Sequence, residues 1–374
     1  MFECIIGTRQ GCMISPLLFI LYVNILIPMC NTSGCSGIYL DELFPSVHAL
    51  LYADDIGIVN DTVGRLQKQL NVLQLFCGQY GLQVNKTKTN IMVFRNGGTL
   101  RQNEKWYFEG TRLETVPYYK YLGINFSSRL SWTPALQTLC SQAQRGIMKI
   151  RTVFTSCGDM PIDIGLDLFD KLVLPILLYG CQIWGCAYRD QIEATHIQYC
   201  KILLSVSSRT YNNVVLGECG RLPLWTIYMY RCIKFWIKVV NSQGRYIHSC
   251  YKNLKVLDDH GKTTWATHIK SLLLTHGYGY VWQQQGVGNP KLFLCGFKQR
   301  LQDVARQQWH ANIQQCPLQL YREYKTCLEI DTYLLCVEIR VHRIALSRFR
   351  SGCNRLAVNR WRGRIVLCIL LECL

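Results

Sequence analysis

His48-Ala49-Leu50-Leu51-Tyr52-Ala53-Asp54-Asp55-Ile56-Gly57-Ile58-Val59 is the stretch on which the fold turns. Two short apolar runs flank an acidic pair, and runs of this length read as strands. The pattern is a β-hairpin with Asp54-Asp55 at its tip. Two carboxylates held on a tight turn repel each other unless a cation lies between them. Magnesium suits such a tip, because it takes carboxylate oxygens and leaves positions open to phosphate and water. Alone, the pair has a simpler reading, since Asp favours turns without any further role.

Outward from the hairpin the chain supplies context. Upstream runs Gly7-Thr8-Arg9-Gln10-Gly11-Cys12-Met13-Ile14-Ser15-Pro16-Leu17-Leu18-Phe19. Here a glycine turn lets backbone approach a ligand closely, beside a helix N-terminus that favours phosphate. Ser15-Pro16 predicts a helix start with Ser as N-cap and Pro in the first turn, and Pro28 predicts its stop. Downstream, the spacing of Val63, Leu66, Leu70, Leu73, Phe76, Cys77 and Tyr80 predicts an amphipathic helix over 62–80, closed by Gly81. Then come Gly81-Leu82-Gln83-Val84-Asn85-Lys86-Thr87-Lys88-Thr89, a strand at 90–94, and Tyr119-Lys120-Tyr121-Leu122-Gly123-Ile124 within strands near 118–126.

In this order and spacing, these blocks resemble the later palm motifs of reverse transcriptases. Residues 10–19 are similar to motif B, Leu50–Asp55 to motif C, residues 81–94 to motif D and residues 119–123 to motif E. The wording of residues 7–12, 52–55 and 84–89 resembles non-LTR, LINE-like retrotransposons more than retroviral enzymes. Pro175–Gly180 and Gly220–Leu224 are similar to sequences that follow the palm in such elements. The resemblance implies an RNA-directed DNA polymerase using Mg2+ (or Mn2+), with RNA template, DNA primer and deoxynucleotides as partners and substrates. It implies that Asp54 binds the catalytic metals with Asp55 as supporting neighbour, and that Tyr52 sits near the primer end. Gln10 and Gly11 would line the incoming nucleotide and template, and Tyr121, Leu122 and Gly123 would grip the primer. Lys88 would protonate the leaving pyrophosphate.

Two-metal transfer needs carboxylates on both sides of the metal pair. In the family the partner aspartate belongs to motif A, ahead of motif B, and here only Met1–Ile6 precede Gly7. Residues 1–374 are therefore expected to lack motif A and the fingers, and to be inactive alone. The alternative is a non-catalytic nucleic-acid-binding remnant or a domesticated retroelement protein.

Composition agrees with a nucleic-acid partner. The 374 residues carry 41 Lys and Arg against 24 Asp and Glu, a net charge of +17. Such a field favours polyanions, nucleic acid before anionic membrane. Eight arginines lie between Arg340 and Arg364 with no acidic residue among them and Trp361 interleaved. Arginine forks suit phosphate, so Arg348 and Arg350 are candidate nucleic-acid contacts, the alternative being a solvated basic helix. With 49% hydrophobic residues the chain can bury a sizeable core, and extensive disorder is not expected.

The 20 cysteines sit in apolar helical stretches, as at Cys77, Cys140, Cys200 and Cys232. None forms a CxxC pair, and none lies in a Cys/His cluster of zinc spacing; Cys368 and Cys373 make no zinc knuckle. Free thiols point to a reducing compartment, nucleus or cytoplasm. The apolar runs Pro16–Met29 and Leu172–Trp184 are short for a membrane span, and are expected to be buried core rather than a signal or a membrane anchor.

The expected fold class is α+β: a partial right-hand polymerase palm in residues 1–126, a helical thumb-like region over 127–240 and a helical C-terminal extension over 241–374. After Trp132 the apolar period is helical nearly throughout, clearest over 163–179, 190–206 and 223–240. The oligomeric state is not legible in the sequence.

Overall fold

Thr62 and Gly81 bracket the helix that organises the N-terminal part of the chain. The structure, a computed structural model, describes residues 13–42, 46–95, 97–156, 158, 161–186, 190–243 and 245–353. It is a mixture of helix and sheet in two compact units, Met1–Ala135 with Ser242–Val256 and Leu136–Asn241 with Leu257–Leu374.

In the first unit, α1 (Ser15–Asn24) and α2 (Leu26–Thr32) lead into hairpin β1 (Ala49–Tyr52) and β2 (Asp55–Ile58), then α3 (Val63–Tyr80). Thr62 caps α3 through its hydroxyl, which accepts from the Arg65 amide at 3.3 Å, and Gly81 closes it with φ of +64°. That left-handed turn returns the Gly81 amide to the Cys77 carbonyl, and glycine adopts it without steric cost. The inner face of α3 buries Leu70, Val72, Leu73, Phe76 and Cys77 in one core with Leu26, Trp106 and Phe108.

Short strands follow: β3 (Asn90–Ile91), β4 (Tyr107–Phe108), β5 (Thr111–Arg112), β6 (Glu114–Thr115), β7 (Tyr118–Tyr121) and β8 (Ile124–Ser127). Among the described residues they form four two-stranded sheets, β1–β2, β3–β6, β4–β5 and β7–β8, of which only β3–β6 is parallel. The strand expected over 90–94 shrinks to two residues, because beyond Ile91 the backbone turns to other partners: the Arg95 amide donates to Ser128. The Gln67 side chain ties α3 to β4, accepting from the Tyr107 amide and donating to its carbonyl, each at 2.8 Å.

Three expectations for the first helix are corrected. Ser15 is already helical, the N-cap position being Ile14. The first helix does end ahead of Pro28, at Asn24, but Pro28 is not what ends it: α2 carries it in its first turn, where its missing amide leaves no bond unmade. Nor is the run Pro16–Met29 buried core. Leu17 and Leu21 are each 58% exposed, and only Val23 and Leu26 of the run are buried. What anchors the helix is Tyr22, whose hydroxyl donates to the Tyr80 carbonyl and whose ring meets the Tyr80 ring edge-on. Residues 15–32 are long and apolar enough by composition to cross a membrane, a test that core helices of soluble proteins also pass.

The second unit is helical: α4 (Thr133–Ser156), α5 (Ile162–Leu168), α6 (Leu174–Leu177), α7 (Cys181–Trp184), α8 (Asp190–Leu203), α9 (Asn212–Glu218), α10 (Trp225–Val240), α11 (Tyr246–Asp259), α12 (Trp265–Thr275), α13 (Gly279–Gln284), α14 (Pro290–Gln314), α15 (Gln319–Tyr324), α16 (Thr332–Cys336) and α17 (Arg340–Arg350). Of these, α11 belongs to the first unit through Val256, and α4 does so through Ala135. A π-helical turn, Phe169–Val173, joins α5 to α6. The second apolar run is buried in part, through Val173, Leu174, Leu177, Cys181 and Trp184, while Leu172, Tyr179 and Ile183 are exposed.

The blocks Pro175–Gly180 and Gly220–Leu224 have structural work in this unit. Gly180 and Gly220 take φ of +71° and +61°, and a Cβ on Gly220 would stand 2.1 Å from the Ile330 nitrogen. Arg221 forks onto Asp170, and the Glu193 carboxylate caps α10 by accepting from the amides of Leu224 and Trp225 at 3.0 and 2.7 Å.

Candidate active site

The acidic hairpin forms, but its turn lies one residue earlier than the expected Asp54-Asp55 tip: Tyr52 faces Asp55 and Leu51 faces Ile56. Ala53 and Asp54 make the two-residue turn, and Ala53 takes φ of +50°. Tight hairpins require positive φ at the first turn position, which costs an alanine about 1 kcal/mol or more. Asp54 and Asp55 are exposed, as is Tyr52 at 63%.

Beneath the hairpin lies a polar plug that sequence reasoning missed. His48 is 3% exposed; its Nε2 lies 2.8 Å from Asn31 Oδ1 and its Nδ1 lies 3.3 Å from the Gln69 amide nitrogen. With Asn31 accepting and Gln69 donating, the ring is neutral with its proton on Nε2. Burial pushes the His48 pKa below its ordinary value. Asn60 completes the group, donating to Gln69 Oε1 at 3.1 Å and to the Ser36 carbonyl at 2.7 Å. The available signal was a histidine, an asparagine and a glutamine bordering apolar runs, a pattern with many other outcomes.

The 81–94 block is explained by Asn85. Its side-chain oxygen accepts from the Thr87 amide, the Thr87 hydroxyl and the Lys88 amide at 3.1, 2.7 and 3.2 Å. This Asx turn presents Lys88, exposed and without an ion-pair partner among the described residues. The Lys88 carbonyl accepts from the Tyr119 hydroxyl of β7 at 3.2 Å.

The β7–β8 hairpin turns at Leu122-Gly123, with φ of +47° and +82°. Both central residues being left-handed is the requirement of a type I′ turn, met freely by Gly123 and at a cost by Leu122. Tyr121 reaches the acidic hairpin: a Cβ on Gly57 would stand 3.7 Å from its hydroxyl oxygen. Burial, and secondarily the charge of Asp55, raise the Tyr121 pKa. Tyr121 and the acidic hairpin are thus neighbours. Ala53 and Leu122 are non-glycine residues held in a costly conformation at the tips of both hairpins, and such outliers gather at functional sites.

Gln10 and Gly11 lie outside the described residues, as do Trp361 and the arginines beyond Arg350 in the Arg-rich stretch. Arg348 and Arg350 have different fates. Arg348 is exposed and donates to the Ser205 carbonyl at 3.0 Å. Arg350 turns inward, its guanidinium taken by Glu218 and Asp331 and layered against the Tyr324 and Tyr333 rings. That fork is occupied, so the placement favours a structural role for Arg350 over the expected nucleic-acid contact.

As a metal site, the hairpin tip provides two carboxylates, enough for a magnesium ion that keeps water and phosphate as its other ligands. Among the described residues no group of three or more His, Cys, Asp or Glu is placed to hold a metal. The described residues thus offer one carboxylate wall of a metal pair. Cys368 and Cys373 lie outside the described residues.

Residues 2–126 match the reverse transcriptase (RNA-dependent DNA polymerase) family. The chain is similar to the "Probable RNA-directed DNA polymerase from transposon BS" of Drosophila melanogaster, 26% identical over 55% of this chain and 22% of that protein. It is similar to the RNA-directed DNA polymerase from mobile element jockey of Drosophila funebris, 22% identical over 54% of this chain and 22% of that one. A transposon-derived protein of Caenorhabditis elegans is 27% identical over 42% of this chain and 57% of its own length. The chain therefore spans about a fifth of the two polymerases and just over half of the third relative.

Proposed function

From a chain whose residues 2–126 form a reverse transcriptase domain of the non-LTR retrotransposon kind, we propose that this domain is the later part of a polymerase palm and serves RNA-templated DNA synthesis. Asp54 and Asp55 are its metal-binding carboxylates. Residues 127–240 serve as the thumb and residues 241–374 as a C-terminal extension. The template is RNA, the primer DNA and the substrates deoxynucleotides. The protein works in the nucleus or cytoplasm as a non-membrane protein.

The reading rests on one observation: the Tyr121 hydroxyl lies against Gly57 of the acidic hairpin, so two separate motifs meet at one place. Magnesium, when bound, would supply charge neutralisation at the reacting phosphate. The chain's own residues do the rest. Asp54 and Asp55 hold the cation from one side. Tyr52, exposed beside them, and the Leu122-Gly123 turn position the primer strand. Lys88, fixed by the Asn85 turn, donates a proton to the departing pyrophosphate.

Primer extension on an RNA template tests the proposal. Residues 1–374 alone should incorporate no deoxynucleotide, because their described residues offer one carboxylate wall. Joined behind the segment that precedes the matching region in the jockey polymerase, they should incorporate it. Asp54→Asn should abolish that activity. Undiminished synthesis by the Asp54→Asn protein would refute the assignment.

A further inference from the structure

Two cysteines meet where α2 ends. The Cys35 amide donates to the Cys30 carbonyl at 3.0 Å, and the Gly34 amide donates to the Asn31 carbonyl at 3.0 Å. Gly34 takes φ of +62°, the left-handed position that closes such a paired turn. In this turn the side chains at the ends of the longer bond touch, a place usually filled by an apolar pair. Here they are Cys30 and Cys35, 4% and 9% exposed, in one core with Leu70 and Leu73. Both are free thiols and hydrogen-bond each other. A disulfide needs Cα atoms ~4.4–6.8 Å apart and Cβ atoms that face, and residues joined by a main-chain bond with side chains in contact meet both conditions.

The place of the pair ties it to the acidic hairpin. Asn31, which follows Cys30, accepts from His48 Nε2 at 2.8 Å. The carbonyl of Ser36, which follows Cys35, accepts from Asn60 at 2.7 Å. These are the outer supports of the polar plug beneath β1 and β2. Helix α2 has seven residues, too few to hold its last turn by propensity alone. The closing turn therefore keeps Asn31 and Ser36 on the plug.

We infer that Cys30 and Cys35 form an oxidation site, at which hydrogen peroxide converts the two thiols to a disulfide that staples the plug, and with it the acidic hairpin. Cys35 reacts first. The Lys68 ammonium, donating to the Gly34 carbonyl at 2.7 Å, stands beside it. Burial raises both thiol pKa values, Cys30 to about 11, but at Cys35 the Lys68 charge and the Cys30 thiol pull the other way. The Cys35 thiolate attacks one peroxide oxygen and the O–O bond breaks. Hydroxide leaves and takes up a proton as water, and Cys35 becomes a sulfenic acid. The Cys30 sulfur then attacks that of Cys35. The S–S bond forms, the S–O bond breaks, and hydroxide leaves with the Cys30 proton as a second water. The two sulfurs lose two electrons, and one peroxide gains them.

The test treats the 374-residue chain with hydrogen peroxide in EDTA, blocks remaining thiols with iodoacetamide and digests with chymotrypsin. Residues 27–39, released by cuts after Leu26 and Tyr39, contain these two cysteines and no other. This fragment should be unalkylated and two hydrogens lighter than the dithiol form, and dithiothreitol should restore both thiols. Amide exchange at Leu50, Leu51 and Tyr52 should slow at least about fivefold in the oxidised chain and recover on reduction. In Cys35→Ala, peroxide should leave that exchange unchanged. The inference is overturned if both thiols stay alkylatable, or if Cys35 goes to sulfinic acid without the crosslink. It is overturned also if the crosslink forms and hairpin exchange does not slow, or if peroxide slows Cys35→Ala as much as the parent. Comparing the oxidised parent with the same chain after dithiothreitol needs no variant, so misfolding of Cys35→Ala would leave the first three outcomes decisive. Neither readout uses DNA synthesis, so failure of the polymerase reading would not disturb the result.

Discussion

Replacing Glu218 by glutamine should unfasten α17 from α9. Glu218 is fully buried; its carboxylate accepts from Arg350 Nε at 2.9 Å, Arg350 Nη2 at 3.0 Å and the Tyr333 hydroxyl at 2.6 Å. Asp331 shares Arg350 and pairs with Lys325 at 2.8 Å. Two cations and two anions therefore balance in one closed group. Glutamine keeps the shape and removes one negative charge, leaving two cations against Asp331 alone. An uncompensated charge of this kind costs about 3–5 kcal/mol. Glu218→Gln/Arg350→Met leaves Lys325 and Asp331 balanced and should cost less than the sum of the single changes, with a coupling energy of ~2 kcal/mol or more. Two-state unfolding is not expected for a chain of two units, so the readout is amide hydrogen exchange in α9, at Val214, Val215 and Leu216. A cost below ~1 kcal/mol for Glu218→Gln, or additivity within ~0.5 kcal/mol, would show that the network does not carry the packing of this corner.

Further outcomes are expected. The polar plug should make the acidic hairpin sensitive to acid: neutral His48 is favoured by burial, so its contribution is complete above the ordinary pKa of 6.5 and falls away as pH drops below it. Exchange at Leu50–Tyr52, corrected for its intrinsic pH dependence, should accelerate between pH 7.5 and 5 in the parent chain (~1 unit either side of the titration) and not in His48→Gln; a flat parent profile would refute this. Gly220→Ala should destabilise the second unit by at least ~2 kcal/mol in the same assay, because a Cβ meets the Ile330 backbone and φ is positive. In the joined polymerase, Lys88→Ala should lower single-turnover incorporation ~100-fold with primer-template affinity unchanged, and an unchanged rate would remove Lys88 from the chemistry.

Where local rules dominate, the sequence was legible. The α3 helix follows from three-and-four spacing and from Thr62 and Gly81, each of which acts within one turn of its own position. The acidic hairpin follows from run length and Asp placement, although its turn is Ala53-Asp54 and Asp55 opens the second strand. Arg348 and Arg350 were partly legible: two residues apart on one helix they leave on different sides. Arg340, Ile344 and Arg348, at spacings of four, share one face, which lines a cleft of the second unit. What could not be read was which carboxylate waits on the other side, since Glu218 is 132 residues from Arg350 in the chain. The parallel pairing of β3 with β6 was equally invisible, because two-residue strands carry no period. The 15–32 helix shows the converse: apolarity was read correctly, but apolarity does not say what covers it.

That uncovered surface leads to the final prediction. Leu17 and Leu21 on α1 are each 58% exposed, and Leu50 on β1 is 51% exposed. Helix α1 lies against β1, and the β1–β2 hairpin has no third strand among the described residues. An isolated two-stranded hairpin is marginal in water, and an open apolar edge is a template for association. The strands within 107–116 are committed elsewhere: β4 pairs with β5, and β6 with β3. Residues 1–374 by themselves should therefore self-associate as concentration rises. Leu17→Lys/Leu21→Glu/Leu50→Lys should be monomeric by sedimentation, with little loss of stability. At ~25 cal/mol per Å² of buried apolar area, side chains more than half exposed contribute less than half of the roughly 2 kcal/mol of a fully buried leucine. Unfolding of the first unit in this variant would mean that these leucines are covered in solution by contacts the described residues do not make. Association unchanged from the parent would place the sticky surface elsewhere on the chain.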